Sequence, residues 1–309
     1  MNDELKFTVI SDTHYYSKKN FVDGFDKNKK PKPGKLFFSR SEEIVENTFD
    51  CLCKNDTPDI VLISGDLTYN GERTSHDEMK AALKKLQQKG KRVYVITATH
   101  DYTTPRMPTY GIDKNDKYIE VESVKRTQLL KYYGDFGYNN AIAKHKSTMS
   151  YVAQLADGYR LFALNDDYGD PDCGFSDELM NWVKTEANNA KRDGQYIIAM
   201  THHPLVPPSP IYTAVAKGDM LNDYELRRKQ LSDLGFDFVL TGHTHMHNIS
   251  YCKIGNKKFY DISTAALTGF PPYYRRIVLN KEQKKAEIKT ICADCADSID
   301  TNGLTLEEY

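Results

Sequence analysis

The sequence predicts an α/β protein whose chemically active residues gather where its strands end. Three observations carry this prediction. Short apolar runs rich in β-branched and aromatic residues alternate with longer helical patterns, which is typical of β-α-β units. The 309 residues suffice for one large α/β domain or two smaller ones, either with a full core. Most of the histidines directly follow the apolar runs.

The composition argues against several classes of protein. Lys and Arg number 42 against 43 Asp and Glu, so the formal net charge is −1, and nucleic acid is not the expected partner. No apolar run approaches the roughly 18 residues of a membrane helix. The N-terminus lacks a basic segment followed by a long apolar stretch, so no secretory signal is predicted. The six cysteines are expected to be free thiols, and a cytoplasmic protein is the expectation.

The strand and helix patterns place the motifs along the chain. Buried strands are predicted at residues 5–10, 59–63, 93–96, 196–200 and 236–240. Helices are predicted at residues 41–54, 76–88, 118–133, 176–191 and 222–234. Ser75 and Ser176 are the predicted N-caps, and Glu78 lies in capping-box register with Ser75. In open α/β sheets the ligand binds at the carboxyl ends of the strands.

Three further regions depart from the alternation. Long loops at residues 15–38 and 103–117 follow predicted strands and are expected to shape a site. From residue 247 onward, strand patterns at 258–262, 275–279 and 286–291 predict a second, more antiparallel sheet. We divide the chain into a main domain, 1–281, and a final strand with a C-terminal tail, 282–309. The last residues read as a helix just beginning, a pattern compatible with a longer native chain.

Seven of the nine histidines follow a predicted strand, and most have Asp or Gly close by. The strand ends read Asp12-Thr13-His14, Gly65-Asp66, His100-Asp101, His202-His203 and Gly242-His243-Thr244-His245. Residues i and i+2 of an extended segment point to the same side. Asp12 with His14, and His243 with His245, are therefore each expected to present two ligands to one place.

This residue set predicts a metal site. Imidazole and carboxylate together suit Mn, Fe, Zn, Ni or Co, and the lack of cysteine ligands argues against a closed structural zinc site. The candidate ligands are Asp12, His14, Asp66, His202, His243 and His245. They exceed what one catalytic zinc takes, whereas two metals about 3.5–4 Å apart that share a carboxylate use the set naturally. Such a pair generates hydroxide from a bound water at neutral pH and clamps phosphate oxygens.

The ordered set Asp-x-His, Gly-Asp, His-Asp, His and Gly-His-x-His resembles the calcineurin-like metallophosphoesterases over roughly residues 5–265. The stretch from Ser64 to Glu72 is also similar to the bacterial branch that includes cyclic-nucleotide phosphodiesterase-like proteins. The resemblance implies a four-layer α/β/β/α sandwich with two central mixed β-sheets and a dinuclear site at one end.

The resemblance also implies a role for each motif residue. The first metal would be held by Asp12, His14 and His245, the second by His202 and His243, with Asp66 bridging the two. His100 would stabilise the transferring phosphoryl group or protonate the leaving oxygen, and Asp101 would orient it. Thr99 stands where the family has an asparagine ligand. Because its hydroxyl is a weaker metal ligand with a shorter reach, the second site is expected either to bind its metal more weakly or to hold a water in that position.

The predicted function is metal-dependent hydrolysis of a small phosphoester, by direct attack of a metal-bound hydroxide and without a covalent enzyme intermediate. Phosphodiesters, cyclic nucleotides among them, are the first expectation, while monoesters, nucleotides and phospholipid head groups stay open because loops select the substrate. Two alternatives are a binding scaffold with a weakened second site, motivated by Thr99, and a nuclease, which would need a basic groove.

Several other residues near the motifs have interpretations that do not require a role as a metal ligand. His76 and His145 are expected in solvent, because one opens a predicted helix and the other lies between two lysines. His203 is expected to support the ligand His202, to contact the substrate, or simply to pack. Tyr15 and Tyr16 follow the first ligands and are candidates to line the pocket.

Overall fold

The computed structural model describes residues 4–23, 36, 38–54, 57–167, 173–269 and 271–293. Two mixed β-sheets lie at its centre. The first has the order β14-β13-β1-β2-β3, where the strands are β1 (Glu4–Ile10), β2 (Ile60–Ser64), β3 (Arg92–Ile96), β13 (Tyr273–Asn280) and β14 (Lys285–Cys292). Strands β1, β2 and β3 run parallel, whereas β13 pairs antiparallel with both β1 and β14.

The second sheet has seven strands in the order β11-β12-β10-β9-β8-β7-β6. Its members are β6 (Ala143–His145), β7 (Ser150–Ala156), β8 (Tyr159–Ala163), β9 (Tyr196–Met200), β10 (Phe238–Thr241), β11 (Asn248–Ile254) and β12 (Lys257–Ser263). Strands β8, β9, β10 and β12 are parallel, and antiparallel strands lie at both edges. A separate two-stranded ribbon joins β4 (Gly111–Ile112) to β5 (Tyr118–Ile119).

Helices cover the outer faces of both sheets. They are α1 (Ser41–Leu52), α2 (Arg73–Gln88), α3 (Leu129–Tyr133), α4 (Asp177–Arg192) and α6 (Tyr224–Leu234), while the short α5 (Tyr212–Val215) has no buried residue. Strand β2 shows the layering, because Val61 and Ile63 pack into the core shared with α1 and α2, whereas Ile60 and Leu62 face the core between the sheets. A third core packs α4 against the other face of the second sheet. The predicted four-layer α/β/β/α sandwich is confirmed. No helix in the described part of the chain is long and apolar enough to cross a bilayer.

The five predicted strands are all present, but they do not form one sheet, since β9 and β10 belong to the second. The expected antiparallel sheet of the last third is wrong as well. Strand β12 joins the second sheet parallel to β10, while β13 takes the free edge of β1 in the first. Strand patterning reports burial, but not the partner that supplies it. The division at residue 281 stays a prediction.

Two local predictions also fail. The helix expected at 118–133 is reduced to α3, because the start of that segment pairs as β5. Helix α2 begins at Arg73, so Ser75 is not its N-cap, and the Ser75 hydroxyl instead accepts the backbone N–H of Ser17. Ser176 does cap α4, by accepting the backbone N–H of Leu179. Residues 24–35 and 37 of the predicted 15–38 loop lie outside the described residues.

Candidate metal centre

The predicted site residues meet where strands of both sheets end. Asp12, Asp66 and His100 follow β1, β2 and β3, while His202 and His243 follow β9 and β10. Backbone hydrogen bonds connect the loops: the Asp12 N–H donates to the Gly65 carbonyl at 3.1 Å, and the Gly242 N–H donates to the His202 carbonyl at 3.0 Å. A hydrogen bond also crosses between the sheets, since the His243 N–H donates to Asp12 Oδ2 at 3.0 Å.

The pairs of ligands converge for a reason other than the one expected. Five of the six candidate ligands have a left-handed backbone conformation instead of an extended one. Their φ values are 50° at Asp12, 37° at His14, 51° at Asp66, 64° at His243 and 57° at His245. Each such residue costs about 1–3 kcal/mol and persists only where its surroundings enforce it. The strained backbone is therefore concentrated at this site.

Gly242 allows the closest approach of the two sheets' loops. A Cβ atom there would lie 1.8 Å from Ser11 Oγ and 2.5 Å from Asp12 Oδ2. Any other residue would push the loop after β10 away from the loop after β1. The glycine of the Gly-His-x-His motif is therefore required by packing, in addition to any role of the histidines that follow it.

A first group of ligand atoms comprises Asp12, His14 and His245. His14 Nε2 lies 3.0 Å from His245 Nε2 and 3.8 Å from Asp12 Oδ1, and His245 Nε2 lies 3.3 Å from the same oxygen. Burial alone would raise the pKa of Asp12, but hydrogen bonding by His14 and His245 holds that pKa well below its ordinary value. The group thus offers one anionic oxygen and two imidazole nitrogens to a common point.

The second group comprises Asp66, His202 and His243. His202 Nδ1 lies 2.8 Å from the Ser64 carbonyl oxygen, which fixes Nδ1 as the donor and turns Nε2 toward the carboxylate of Asp66. Nε2 lies 3.1 Å from Asp66 Oδ2, yet it makes no hydrogen bond to any described residue. A buried nitrogen without a hydrogen bond that faces a carboxylate oxygen fits a cation between the two.

His100 lies between the groups, and its ring centroid is 4.8 Å from that of His14. Its Nδ1 lies 2.6 Å from the Tyr69 carbonyl oxygen and 2.8 Å from Asn70 Oδ1, so Nδ1 is the donor to these oxygens and Nε2 is the nitrogen left to act on a substrate. The backbone N–H of His100 donates to Asp66 Oδ1 at 3.0 Å. Asn70 was missed by sequence reasoning, although it stands in the Gly-Asp stretch already singled out.

Asp101 does not orient the His100 ring as expected. Its two oxygens accept the backbone N–H groups of Thr68 and Ala98, each at 2.9 Å. Burial, reinforced by the charge of Asp66, raises the pKa of Asp101 to about 8. Asp101 therefore joins the loops after β2 and β3, and Asn70 with the Tyr69 carbonyl takes the role that was predicted for it. Thr99 begins the short 3-10 turn, Thr99–Asp101, that also carries His100.

The remaining candidates are buried side chains with structural contacts. His76 and His145 are buried rather than solvated, and burial lowers the pKa of His76 to about 3. His203 packs against two candidate ligands, since its ring centroid lies 5.1 Å from that of His202 and 4.0 Å from that of His243, and its Nδ1 lies 3.2 Å from Asp166 Oδ2. Tyr15 and Tyr16 lie in the core instead of lining a pocket.

Comparisons with known proteins identify the family to which the chain belongs. The chain resembles a dimetal phosphatase from Danio rerio, with 13% identity, a TM-score of 0.59, and coverage of 94% of this chain and 99% of that one. It also resembles a purple acid phosphatase from yellow lupin (Lupinus luteus) seeds, with 11% identity, a TM-score of 0.55, and coverage of 94% of this chain but 52% of that one. These likenesses show a shared fold. No curated protein gives a significant match. The family described as calcineurin-like phosphoesterase matches residues 5–247. The chain therefore belongs to the calcineurin-like phosphoesterase family and is a metal-dependent phosphoester hydrolase with a dinuclear divalent metal site.

Proposed function

We propose that the protein hydrolyses phosphodiesters with two divalent transition metals, Mn, Fe, Zn or Ni, held by six side chains. The first metal is assigned to Asp12, His14 and His245, the second to His202 and His243, and the bridge to Asp66. The observation that carries this proposal is the position of one carboxylate oxygen. Asp66 Oδ2 lies 3.8 Å from His14 Nε2 and 3.1 Å from His202 Nε2, so it faces both groups.

The two ions, when bound, lower the pKa of a bound water and neutralise the charge of a phosphoryl group. The chain itself supplies geometry and a proton. With Nδ1 of His100 held by the Tyr69 carbonyl and Asn70, Nε2 is the nitrogen that donates a proton to the leaving oxygen. Asp12, His14 and His202 are fully buried, so the surrounding protein fixes the positions of these side chains.

Phosphodiesters, including cyclic nucleotides, are our proposed substrates because the Ser64 to Glu72 stretch is similar to that of phosphodiesterase-like proteins. The net charge of −1 disfavours a nuclease. We also propose a cytoplasmic location and the domain division at residue 281.

The test is hydrolysis of bis(p-nitrophenyl) phosphate by metal-stripped protein titrated with Mn²⁺. We expect turnover that saturates with the metal and is lost in Asp66→Ala. Asp59→Ala is the matched control, because its side chain is 80% exposed and it precedes β2, at the opposite end of that strand from Asp66. Full activity of Asp66→Ala would contradict the assignment of the bridge. Absence of metal-dependent turnover in the unmodified protein would contradict the proposed phosphodiesterase.

A further inference from the structure

We infer that the substrate carries a planar aromatic group, and that this group stacks on a wall of tyrosines beside the metal centre. This inference rests on the proposed function and names the class of substrate. The tyrosine wall consists of Tyr69, Tyr110 and Tyr118.

The tyrosine wall begins at the candidate site and leads away from it. The ring centroid of Tyr69 lies 6.2 Å from that of His14 and 6.5 Å from that of His100. Tyr110 follows at 6.3 Å from Tyr69, with the two ring planes at 81°, and Tyr118 lies 4.2 Å beyond Tyr110. Tyr69 also packs against Phe38, with ring centroids 5.3 Å apart, so its ring is held in place. Tyr110 and the exposed Tyr118 then offer the ring surface on which a planar group can stack.

The wall is fixed relative to His100. The Tyr16 hydroxyl donates to the Tyr110 carbonyl oxygen at 3.1 Å. The Thr109 hydroxyl donates to the backbone carbonyl of Asn70, the residue whose side chain contacts His100 Nδ1. One loop residue therefore anchors both the proton donor and the segment that leads into the tyrosine wall, which is the preorganisation that an aromatic subsite requires.

The rings of the tyrosine wall are more exposed to solvent than a tyrosine of the core. Tyr16, which contacts Tyr69 at 5.7 Å, is 1% exposed and belongs to the core. Tyr69 and Tyr110 are half-buried, and Tyr118 is 70% exposed. Aromatic surface that stays open next to a polar site is a surface that a ligand can cover. A nucleobase or aryl group that stacks on these rings gains binding free energy without needing a specific hydrogen bond.

The position next to His100 assigns the aromatic group to the alcohol that leaves. In that step the bond from phosphorus to the alcohol oxygen breaks, and a bond from phosphorus to the oxygen of water forms. The alcohol oxygen receives the proton from His100 Nε2. The proton that the water loses passes to solvent, from which His100 is reprotonated.

The test compares esters whose leaving alcohols are both primary and differ in the aromatic group. One pair is the methyl phosphodiesters of the 5′-hydroxyls of adenosine and of 1-O-methylribose. The other pair is benzyl methyl phosphate and cyclohexylmethyl methyl phosphate. With saturating Mn²⁺, we expect kcat/KM to be about fivefold or more higher for the aromatic member of each pair, with adenosine or benzyl alcohol released. Selectivity in the first pair alone would restrict the wall to nucleobases. Equal rates in both pairs, or release of methanol, would overturn the inference and leave the hydrolase intact.

Variants link the selectivity to the wall. Tyr118→Ala should lower the aromatic-to-saturated ratio of kcat/KM, Tyr118→Phe should keep it, and the control Tyr251→Ala, which removes a 51% exposed ring on β11, should keep it as well. An unchanged ratio in Tyr118→Ala would contradict the role of that ring.

Equilibrium dialysis with adenosine, and with 1-O-methylribose as its control, measures the wall without turnover. We expect tighter binding of adenosine, weakened by Tyr118→Ala. If none of the four esters is hydrolysed, the proposed function fails. The dialysis still tests whether the tyrosine wall binds an aromatic group. Equal binding of adenosine and 1-O-methylribose would contradict it.

Discussion

The two proposed metal sites draw on the same sheets but differ in completeness. The first has all of the side chains that the family resemblance implies, and each of its three ligands, Asp12, His14 and His245, has a left-handed backbone. In the second, the loop after β3 offers Thr99 where the family has an asparagine, although His202 is well oriented by the Ser64 carbonyl. The proposed dinuclear centre therefore has two unequal halves. We expect the first ion to bind more tightly than the second.

The largest effect is expected from removing a ligand of the first metal site. Asp12→Ala removes a buried anion that faces His14 and His245 and also accepts the His243 N–H. We expect kcat/KM for a phosphodiester to fall by about a thousandfold or more, because a metal ion contributes several kcal/mol to the transition state. Metal content after dialysis should fall together with activity. A loss smaller than tenfold, with both ions retained, would show that the first half is not the essential one.

Removing the proton donor should leave both halves in place. His100→Ala is expected to lower kcat by about 10²- to 10⁴-fold for an alkyl diester, because general acid catalysis is lost. The loss should be smaller for a p-nitrophenyl ester, whose leaving group needs no proton. The measurement is kcat for both esters at saturating Mn²⁺. Equal losses for both would mean that His100 acts on the phosphoryl group instead of the leaving oxygen.

A smaller effect is expected from the residue that orients His100. Asn70→Ala leaves the Tyr69 carbonyl as the remaining partner of Nδ1. We expect kcat to fall about tenfold to a hundredfold with little change in KM, as for other residues that hold a reacting imidazole. Asn70→Asp, which keeps an acceptor oxygen, should retain most of the activity. If both variants lose activity equally, loop structure rather than the hydrogen bond is responsible.

The smallest effect is expected from adding the missing asparagine to the second half. Thr99→Asn provides an amide oxygen next to the incomplete half, and we expect the Mn²⁺ titration midpoint for the second ion to fall by about tenfold. Thr99→Ala is the matched control and should leave the midpoint within a factor of two or raise it. An unchanged midpoint in Thr99→Asn would mean that the second half already has its full coordination.

The sequence was sufficient to name candidate site residues, but not to predict the backbone conformations by which they meet. The strand ends carried the Asp, His and Gly motifs, so the candidates could be named without a structure. The left-handed backbone at Asp66 and His243 was not predictable, because contacts between separate loops enforce it. The burial of His76 depends in the same way on Tyr133, which is distant in the sequence, and only tertiary packing shows the contact.

The fold was predictable as a class, but not in its strand order. Strands β7 and β8 were missed, although Asp157-Gly158 between them is a strong hairpin signal. Local patterns identify a strand and its buried faces, yet β13 could have paired with several edges. Its pairing with β1, more than 250 positions earlier, depends on the whole packed structure.

The hydrogen bond from the His243 N–H to Asp12 links residues near opposite ends of the matched family region. During synthesis, the ribosome must therefore release the chain beyond His245 before the complete set of ligands can assemble. Until then, the N-terminal acidic and imidazole groups remain without their C-terminal partners, and β1 lacks the neighbour that β13 provides. A nascent chain that ends before His245 therefore carries an incomplete set of ligands, and the full centre forms late in the folding of this region.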